Sequence, residues 1–270
     1  MIQLGRLAVE EEEERKMTVE VLNSQKDSIS LRVDGYDLNY PNAIRRYIMS
    51  EVPTLAIEDV VIVENSSLIY DEIIAHRLGL VPLKTPKKYL DQGNAQLMMV
   101  LDAKANEGTR TVYSGELVSE DKEVYPTSTE IPLLKLAKGQ SVKIEAYAKL
   151  GSGKIHSKFS PTSKATVKPS PVVNILNGST EKMKEIVDSC PRGVFSIKDG
   201  KLVVVDENSC TFCMECIKTD PTSVEIKEKY NSYILSVESI GQYDVDDVLM
   251  LGIDLILRDL GALKEKVVSL

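Results

Sequence analysis

The 270-residue chain contains no tryptophan and only three phenylalanines. Any core it builds must be filled by Val, Ile and Leu. Hydrophobic residues at 43% and charged residues at 27% leave enough apolar material for such a core and argue against wholesale disorder. Long hydrophobic runs are missing. The longest near the C-terminus, Val248 to Ile253, stops at Asp254, far short of the ~20 residues a membrane span requires. A secretory signal is also missing, because Met-Ile-Gln-Leu-Gly-Arg runs into five consecutive acids, Glu10 to Glu14. An intracellular, cytoplasmic chain with reduced thiols and no membrane partner is the expectation. Positive charge is scarce: 33 Lys and Arg against 41 Asp and Glu give a net charge of −8. Such a field is poorly suited to gripping phosphate backbones, so no sequence-specific DNA binding is expected, whereas basic protein partners suit it. Catalytic motifs are absent too. There is no P-loop, no G-x-G-x-x-G after a strand, no H-E-x-x-H, no nucleophile elbow and no Asp-rich loop to hold two metal ions. No catalytic residue is assigned.

What is present reads as α+β. Residues 17–34 read as a hairpin, with Met17 to Leu22 rich in β-formers and Ser28 to Val33 alternating polar and apolar. A helix follows, with Pro41 in its first turn. Tyr40, Ala43, Ile44, Tyr47 and Ile48 recur at helical spacing as one buried stripe, and Asn42, Arg45, Arg46 and Met49 lie off it. Pro53 ends that helix, and Leu55 to Val63 branches like a strand. A short helix starts at Asp71-Glu72, acids well placed for its positive end, and stops at Gly79. Short β-like runs (96–101, 110–117, 141–150, 165–167) then alternate with Gly, Pro, Ser and Lys clusters. A short helix is expected from Thr180 to Ser189, and strands at 223–230 and 232–239. The chain closes with a helix over about 244–268, with Val245, Val248, Leu249, Ile253, Ile256, Leu260 and Leu263 on one stripe. Met250, Leu251, Leu255 and Leu257 fall outside it. A helix apolar on two faces must bury both, as a central core helix or at a subunit interface. His76, with no Cys, Ser or carboxylate signature around it, reads as a packing or hydrogen-bonding side chain, and His156 carries no motif.

All four cysteines lie in one stretch, Cys190, Cys210, Cys213 and Cys216. The last three have C-x2-C-x2-C spacing, which turns three thiolates toward one small object. Zinc sites more often use two separate C-x2-C knuckles. The triplet points to an iron–sulfur cluster, with zinc, a disulfide pair or unrelated thiols as alternatives. The run resembles the bacterial-type ferredoxins, C-x2-C-x2-C-x3-C-P. That resemblance implies that Cys190-Pro191 supplies the fourth ligand and that Asp220-Pro221 stands where a second cluster's cysteine would be. It implies one cluster, 4Fe–4S, with 3Fe–4S on the triplet as fallback, acting as a structural staple.

Two further stretches carry a second resemblance. They are Asn42-Ala-Ile-Arg45-Arg46, followed by a strand entered through Pro53, and Asp71-Glu72-Ile-Ile-Ala-His76-Arg77-Leu-Gly79-Leu-Val-Pro82-Leu83. Together they resemble the DNA-directed RNA polymerase assembly subunits: bacterial alpha, its eukaryotic counterparts and the archaeal D-type member. With a ferredoxin-like iron–sulfur domain beside them, the archaeal D-type branch is the one implied. The resemblance implies an alpha-subunit-like dimerisation domain, discontinuous over 1–55 and 222–270. It further implies an inserted mainly-β domain at 56–175 and a ferredoxin-like cluster domain at 176–221. The implied role is a non-catalytic scaffold that pairs with subunit L and, with small zinc-binding subunits, forms the platform for the two large catalytic subunits. Arg45, Arg46, Tyr47, Val248, Leu251 and Leu255 are the implied partner-binding residues, the arginines pairing with carboxylates unless they are merely solvated. The rival reading is a ferredoxin-like electron-transfer or redox-sensing protein.

Overall fold

The computed structural model describes residues 17–90, 96–179 and 181–269. The acidic run Glu10 to Glu14, and Thr180, lie outside the described residues. The elements in chain order begin with strands β1 (Thr18–Ser24) and β2 (Ser28–Asp34), helix α1 (Asn39–Ser50), strand β3 (Pro53–Asn65) and helix α2 (Asp71–Gly79). Strands β4 (Gln96–Lys104), β5 (Arg110–Tyr113), β6 (Val118–Ser119), β7 (Pro132–Leu136), β8 (Ser141–Ser152) and β9 (Thr162–Ile175) come next. The remainder is α3 (Met183–Ser189), β10 (Phe195–Lys198), β11 (Lys201–Val204), α4 (Glu215–Thr219), β12 (Val224–Ser239) and α5 (Val245–Val268).

The chain divides into two compact units. One comprises described residues up to 21 with 31–41 and 167–235; the other comprises 22–30, 42–166 and 236–270. The first unit's segments of β1, β2, β12 and β9 belong to a sheet of order β1-β2-β12-β9, and β10 pairs with β11 in a separate two-stranded sheet. Within that unit Arg32 is half-buried and donates to Glu20 at 3.0 Å and to the Asn208 side chain at 2.6 Å. Lys168 Nζ donates to the Asn208 and Cys210 carbonyls at 2.5 and 2.7 Å, tying the cysteine loop to β9. The two strands expected at 223–239 are one strand, β12, with Asn231 at φ 48° where a break was read. Asparagine tolerates that left-handed conformation.

The stretch 176–221 is not a ferredoxin-like cluster domain, and that expectation is corrected. It holds α3, the hairpin β10–β11 as a separate two-stranded sheet, and α4. It is held by an apolar core of its own: Ile186, Val194, Phe195 and Leu202 bury against Val173 and Val224, with Cys210 and Cys216 as buried members. A free cysteine packs there as a small hydrophobe.

The second unit is built on an antiparallel sheet of order β3-β8-β4-β6. Along β8, Val142, Ile144, Ala146 and Ala148 face the core while Lys143, Glu145, Tyr147 and Lys149 face outward, the period of two that a half-buried strand requires. Beneath lie Ile74 and Leu78 of α2 with Leu55, Ile57, Leu83, Met99 and Leu101. Bulges at Glu58 and Val63 interrupt β3, so Glu58 and Asp59 are both exposed. Two glycines in this unit are dictated by contact. A Cβ on Gly151 would lie 2.7 Å from the Phe159 ring, and one on Gly153 would lie 2.0 Å from the Met49 carbonyl oxygen. The C-terminal end of α1 is thereby seated on the turn after β8, where Lys154 N–H also donates to the Ser50 carbonyl at 2.9 Å.

The loop 87–90 is clamped through Asp121, which accepts from Lys88 and from the Tyr89 hydroxyl, each at 2.6 Å. Those bonds hold the Asp121 carboxyl down at about 2, against an ordinary value of 3.8. A depressed carboxylate contributes stability that is present above pH 3.8 and lost as pH falls toward 2. The urea midpoint of the wild-type chain should fall between pH 4 and 2, and Asp121→Asn should flatten part of that fall. Superimposable curves would mean that the clamp contributes nothing.

Candidate partner interface

Helix α1 begins behind an Asp37 turn whose carboxylate accepts from the Asn39 N–H at 2.9 Å. Its stripe has the expected period but not the expected burial. Pro41 and Ile48 are buried, Ile44 and Tyr47 half-buried, and Tyr40 and Ala43 exposed. The apolar stripe of α1 is therefore only partly covered by the chain itself. Arg45 donates to the Asn42 side chain at 3.0 Å and approaches the Met49 sulfur at 3.4 Å. Among the described residues neither Arg45 nor Arg46 makes an ion pair within 4 Å. Tyr47 donates to Asp259 of α5 at 3.2 Å, and partial burial and then that carboxylate raise its hydroxyl above the ordinary value.

Helix α5 starts with Asp246 and Asp247 in its first turn, where carboxylates meet the positive end of the dipole. Lys84 and Lys87 reach Asp244 and Asp247 at 3.1 and 2.7 Å. Tyr243, just ahead, donates to the Pro53 carbonyl at 2.6 Å, and burial, with Asp247 nearby, raises its hydroxyl well above the ordinary value. One turn on, α5 meets α1: a Cβ on Gly252 would lie 2.5 Å from Cγ2 of Ile48. Val248 is fully buried within the chain, so it supports the helix from below, while Leu251 and Leu255 are half-buried.

From residue 257 onward every described α5 residue is exposed. Leu249, Ile253, Ile256, Leu260, Leu263 and Val267 follow one another at spacings of four and three, the a/d seam of paired helices. The seam starts at the buried Leu249 and ends on Leu260, Leu263 and Val267, which are 57–60% exposed. The expected site residues Leu251 and Leu255 lie beside this seam. The outer part, Leu260 to Val267, was missing from them although the four-three spacing was legible.

The four cysteines are the other predicted constellation, and they do come together. Cys190, Cys210, Cys213 and Cys216 line one cavity of about 10 Å3 with Arg192 and Phe195. Burial raises the Cys216 thiol, and the three neighbouring cysteines add to the effect, which favours the protonated, packed form. Among the described residues no three Cys, His, Asp or Glu side chains are grouped so as to hold a metal ion.

The model of one protein family, the RNA polymerase Rpb3/Rpb11 dimerisation domain, matches residues 30–260. Relatives of similar length include the DNA-directed RNA polymerase subunit Rpo3 of Methanosphaera stadtmanae, 33% identical over 89% of this chain and 94% of its own. That of Pyrobaculum arsenaticum is 37% identical over 88% and 91%. The DNA-directed RNA polymerase II subunit rpb3 of Dictyostelium discoideum is 33% identical over 91% and 93%. The expected resemblance to the archaeal D-type branch with an iron–sulfur domain is corrected by these findings. The relatives bear the names Rpo3 and rpb3, and the matching model is described as a dimerisation domain. The expectation of one iron–sulfur cluster, 4Fe–4S or 3Fe–4S, is corrected with it, since neither the family nor the side-chain grouping supports it. The electron-transfer alternative loses its support on the same grounds.

Gly252→Ala should test the α1–α5 crossing. Overpacking against a fully buried Ile48 costs about 1–3 kcal/mol, offset by about 1 kcal/mol of helix propensity, so a net loss is expected in urea unfolding. Combining it with Ile48→Ala should cost less than the sum of the two single changes. Strict additivity would place the strain elsewhere.

Proposed function

The chain belongs to the RNA polymerase Rpb3/Rpb11 dimerisation-domain family, and on that premise we propose that it is a non-catalytic assembly subunit of a DNA-directed RNA polymerase. The observation that carries this reading is the open seam of α5. A helix stripe with a/d spacing, rooted in the chain's own core and bare over its outer turns, needs a second helix to cover it. The half-open stripe of α1 crosses α5 at Gly252 and adds Ile44 and Tyr47 to the same requirement. The occupant is a smaller subunit that pairs as Rpb11 pairs in the family description, the archaeal subunit L. Leu251 and Leu255 border the contact, Val248 holds the helix in place, and Tyr47 is fixed by Asp259.

Arg45 and Arg46 have a separate role in this reading. Without an ion pair inside the described chain, their guanidinium groups are available to carboxylates of a large catalytic subunit, where the planar fork favours bidentate pairing. Small zinc-binding subunits complete the platform. The segments 1–55 with 222–270 act as the pairing module and 56–175 as an inserted one. The work of the chain is geometric: it holds catalytic subunits in register and contributes no reacting group. No helix of the described residues is long and apolar enough to cross a membrane, and the reading places the complex in the cytoplasm.

Leu260→Asp with Leu263→Asp should abolish co-purification of the smaller subunit while leaving the thermal midpoint of the isolated chain unchanged, because both residues are exposed. Arg45→Ala and Arg46→Ala should retain the small subunit and lower the yield of the complete polymerase. Wild-type yields in the seam variant would overturn the pairing surface; wild-type yields in both arginine variants would remove the arginines from the assembly contact.

A further inference from the structure

A second exposed apolar surface lies on α2 and the loop before it, formed by residues distinct from the α1–α5 seam. The loop 65–71 is tied together by hydrogen bonds. Asn65 donates to the Ile69 carbonyl at 2.9 Å and to Asp71 at 2.7 Å, and its side-chain oxygen accepts from Ser67 N–H and Oγ at 3.0 and 2.7 Å. Ser66 is pinned to the start of β8, accepting from the Ser141 N–H at 2.8 Å and donating its own N–H to the Ser141 carbonyl at 3.0 Å. Ile69 packs against the core, while its neighbours Leu68 and Tyr70 stand out in water at 88% and 76% exposure. A network of this kind fixes the backbone that presents the two apolar side chains, which lowers the ordering cost of docking them.

The surface continues along α2. Ile74 and Leu78 face the core and Arg77 bonds the Leu133 carbonyl at 2.9 Å, so the helix cannot roll. Ile73, His76 and Leu80, at helical spacing, form its exposed side. That ridge leads into a cavity of about 270 Å3 bordered by His76, Leu80, His156, Glu58 and Lys158. Lys158 is held there by Glu58 at 2.5 Å and by the Ile57 carbonyl at 2.9 Å. His156 Nδ1 accepts from the Lys158 N–H at 3.1 Å, which seats the ring beside Lys158. Ile57, Ala75 and Leu80 line the cavity beside these polar groups, and it is large enough for one bulky side chain.

Charge selects the occupant. From Tyr47 to Ala75 the chain has six acids and no Lys, Arg or His. Glu51, Glu58 and Asp59 are compensated by Lys154, Lys158 and Lys149. Glu64, Asp71 and Glu72, which flank the ridge, make no ion pair with a basic residue among those described. We propose that Leu68, Tyr70, Ile73 and Leu80 form a second protein-docking surface, whose occupant is a segment of another polymerase subunit presenting an apolar patch rimmed by Lys and Arg. The proposal rests on the assembly-subunit reading only in taking that occupant from the same complex.

The test uses the complex purified through a tag on this chain. A photo-crosslinking residue in place of Leu68 should join a subunit other than the seam's partner, at a segment with Lys or Arg beside it. Crosslinks confined to the seam's partner, an acidic segment, or no protein crosslink would overturn the proposal. Leu68→Ser with Tyr70→Ser should leave the thermal midpoint and the small subunit untouched while lowering recovery of the crosslinked subunit about tenfold or more. Full recovery, or loss of the small subunit as well, would overturn it. Glu72→Lys should weaken recovery and Glu72→Gln should do so less. Failure of the Leu260→Asp, Leu263→Asp variant to lose the small subunit would overturn the pairing reading while leaving these readouts intact, so the two failures are distinguishable.

Discussion

The rest of the second unit depends on the approach of α5 to α1 at Gly252. A helix backbone lies against the Cγ2 methyl of Ile48 because position 252 carries no side chain. Gly153 does the same one residue further along α1, receiving the Met49 carbonyl where a Cβ cannot fit. Between them these two glycines fix the height and direction of α1. That in turn sets where Arg45, Arg46 and Tyr47 stand and where the seam of α5 leaves the core. Tyr243, bonded to the Pro53 carbonyl, anchors the start of α5 to the strand that follows α1. The partner surface is thus a by-product of close packing rather than of any special chemistry.

Much of this was legible in the sequence. The periods of α1, α2 and α5 and the alternation along β8 identify those elements from residue types alone. Burial was less legible, because a stripe at helical spacing is equally apolar whether the chain or a partner covers it. Tyr40 and Ala43 carry the pattern of core residues and lie in water, and Val248 carries the pattern of an interface residue and lies in the core. The strand β7, Pro132–Leu136, is short and starts at a proline, too little for periodicity to act on. The cysteine spacing is informative about convergence and misleading about the chemistry of the converged thiols. They do share a cavity, but the hairpin that brings Phe195 and Leu202 beside Cys210 and Cys216 is invisible in the spacing.

Charge shows how sequence segregation can vanish in the fold. The base-free stretch from Tyr47 to Ala75 is matched by one from Leu133 to Lys168 that holds eight lysines and a single acid. Pairing β3 with β8 and seating the turn after β8 beside them brings Lys149 to Asp59, Lys154 to Glu51 and Lys158 to Glu58. Each exposed pair contributes little. Their joint effect is on register, since a slip of one residue along β8 would separate the signs as well as reverse the core face. The carboxylates this pairing leaves over gather at the α2 ridge.

The eleven helical residues beyond Leu257 are exposed, with the Tyr47–Asp259 hydrogen bond reaching them from α1, so their outer turns lean on propensity and on the anchored turns before them. The turns of α5 that would open first are therefore the same turns that carry the bare apolar stripe. A helix laid along that stripe would do two things at once, covering apolar surface and holding shut the end of the chain least able to hold itself.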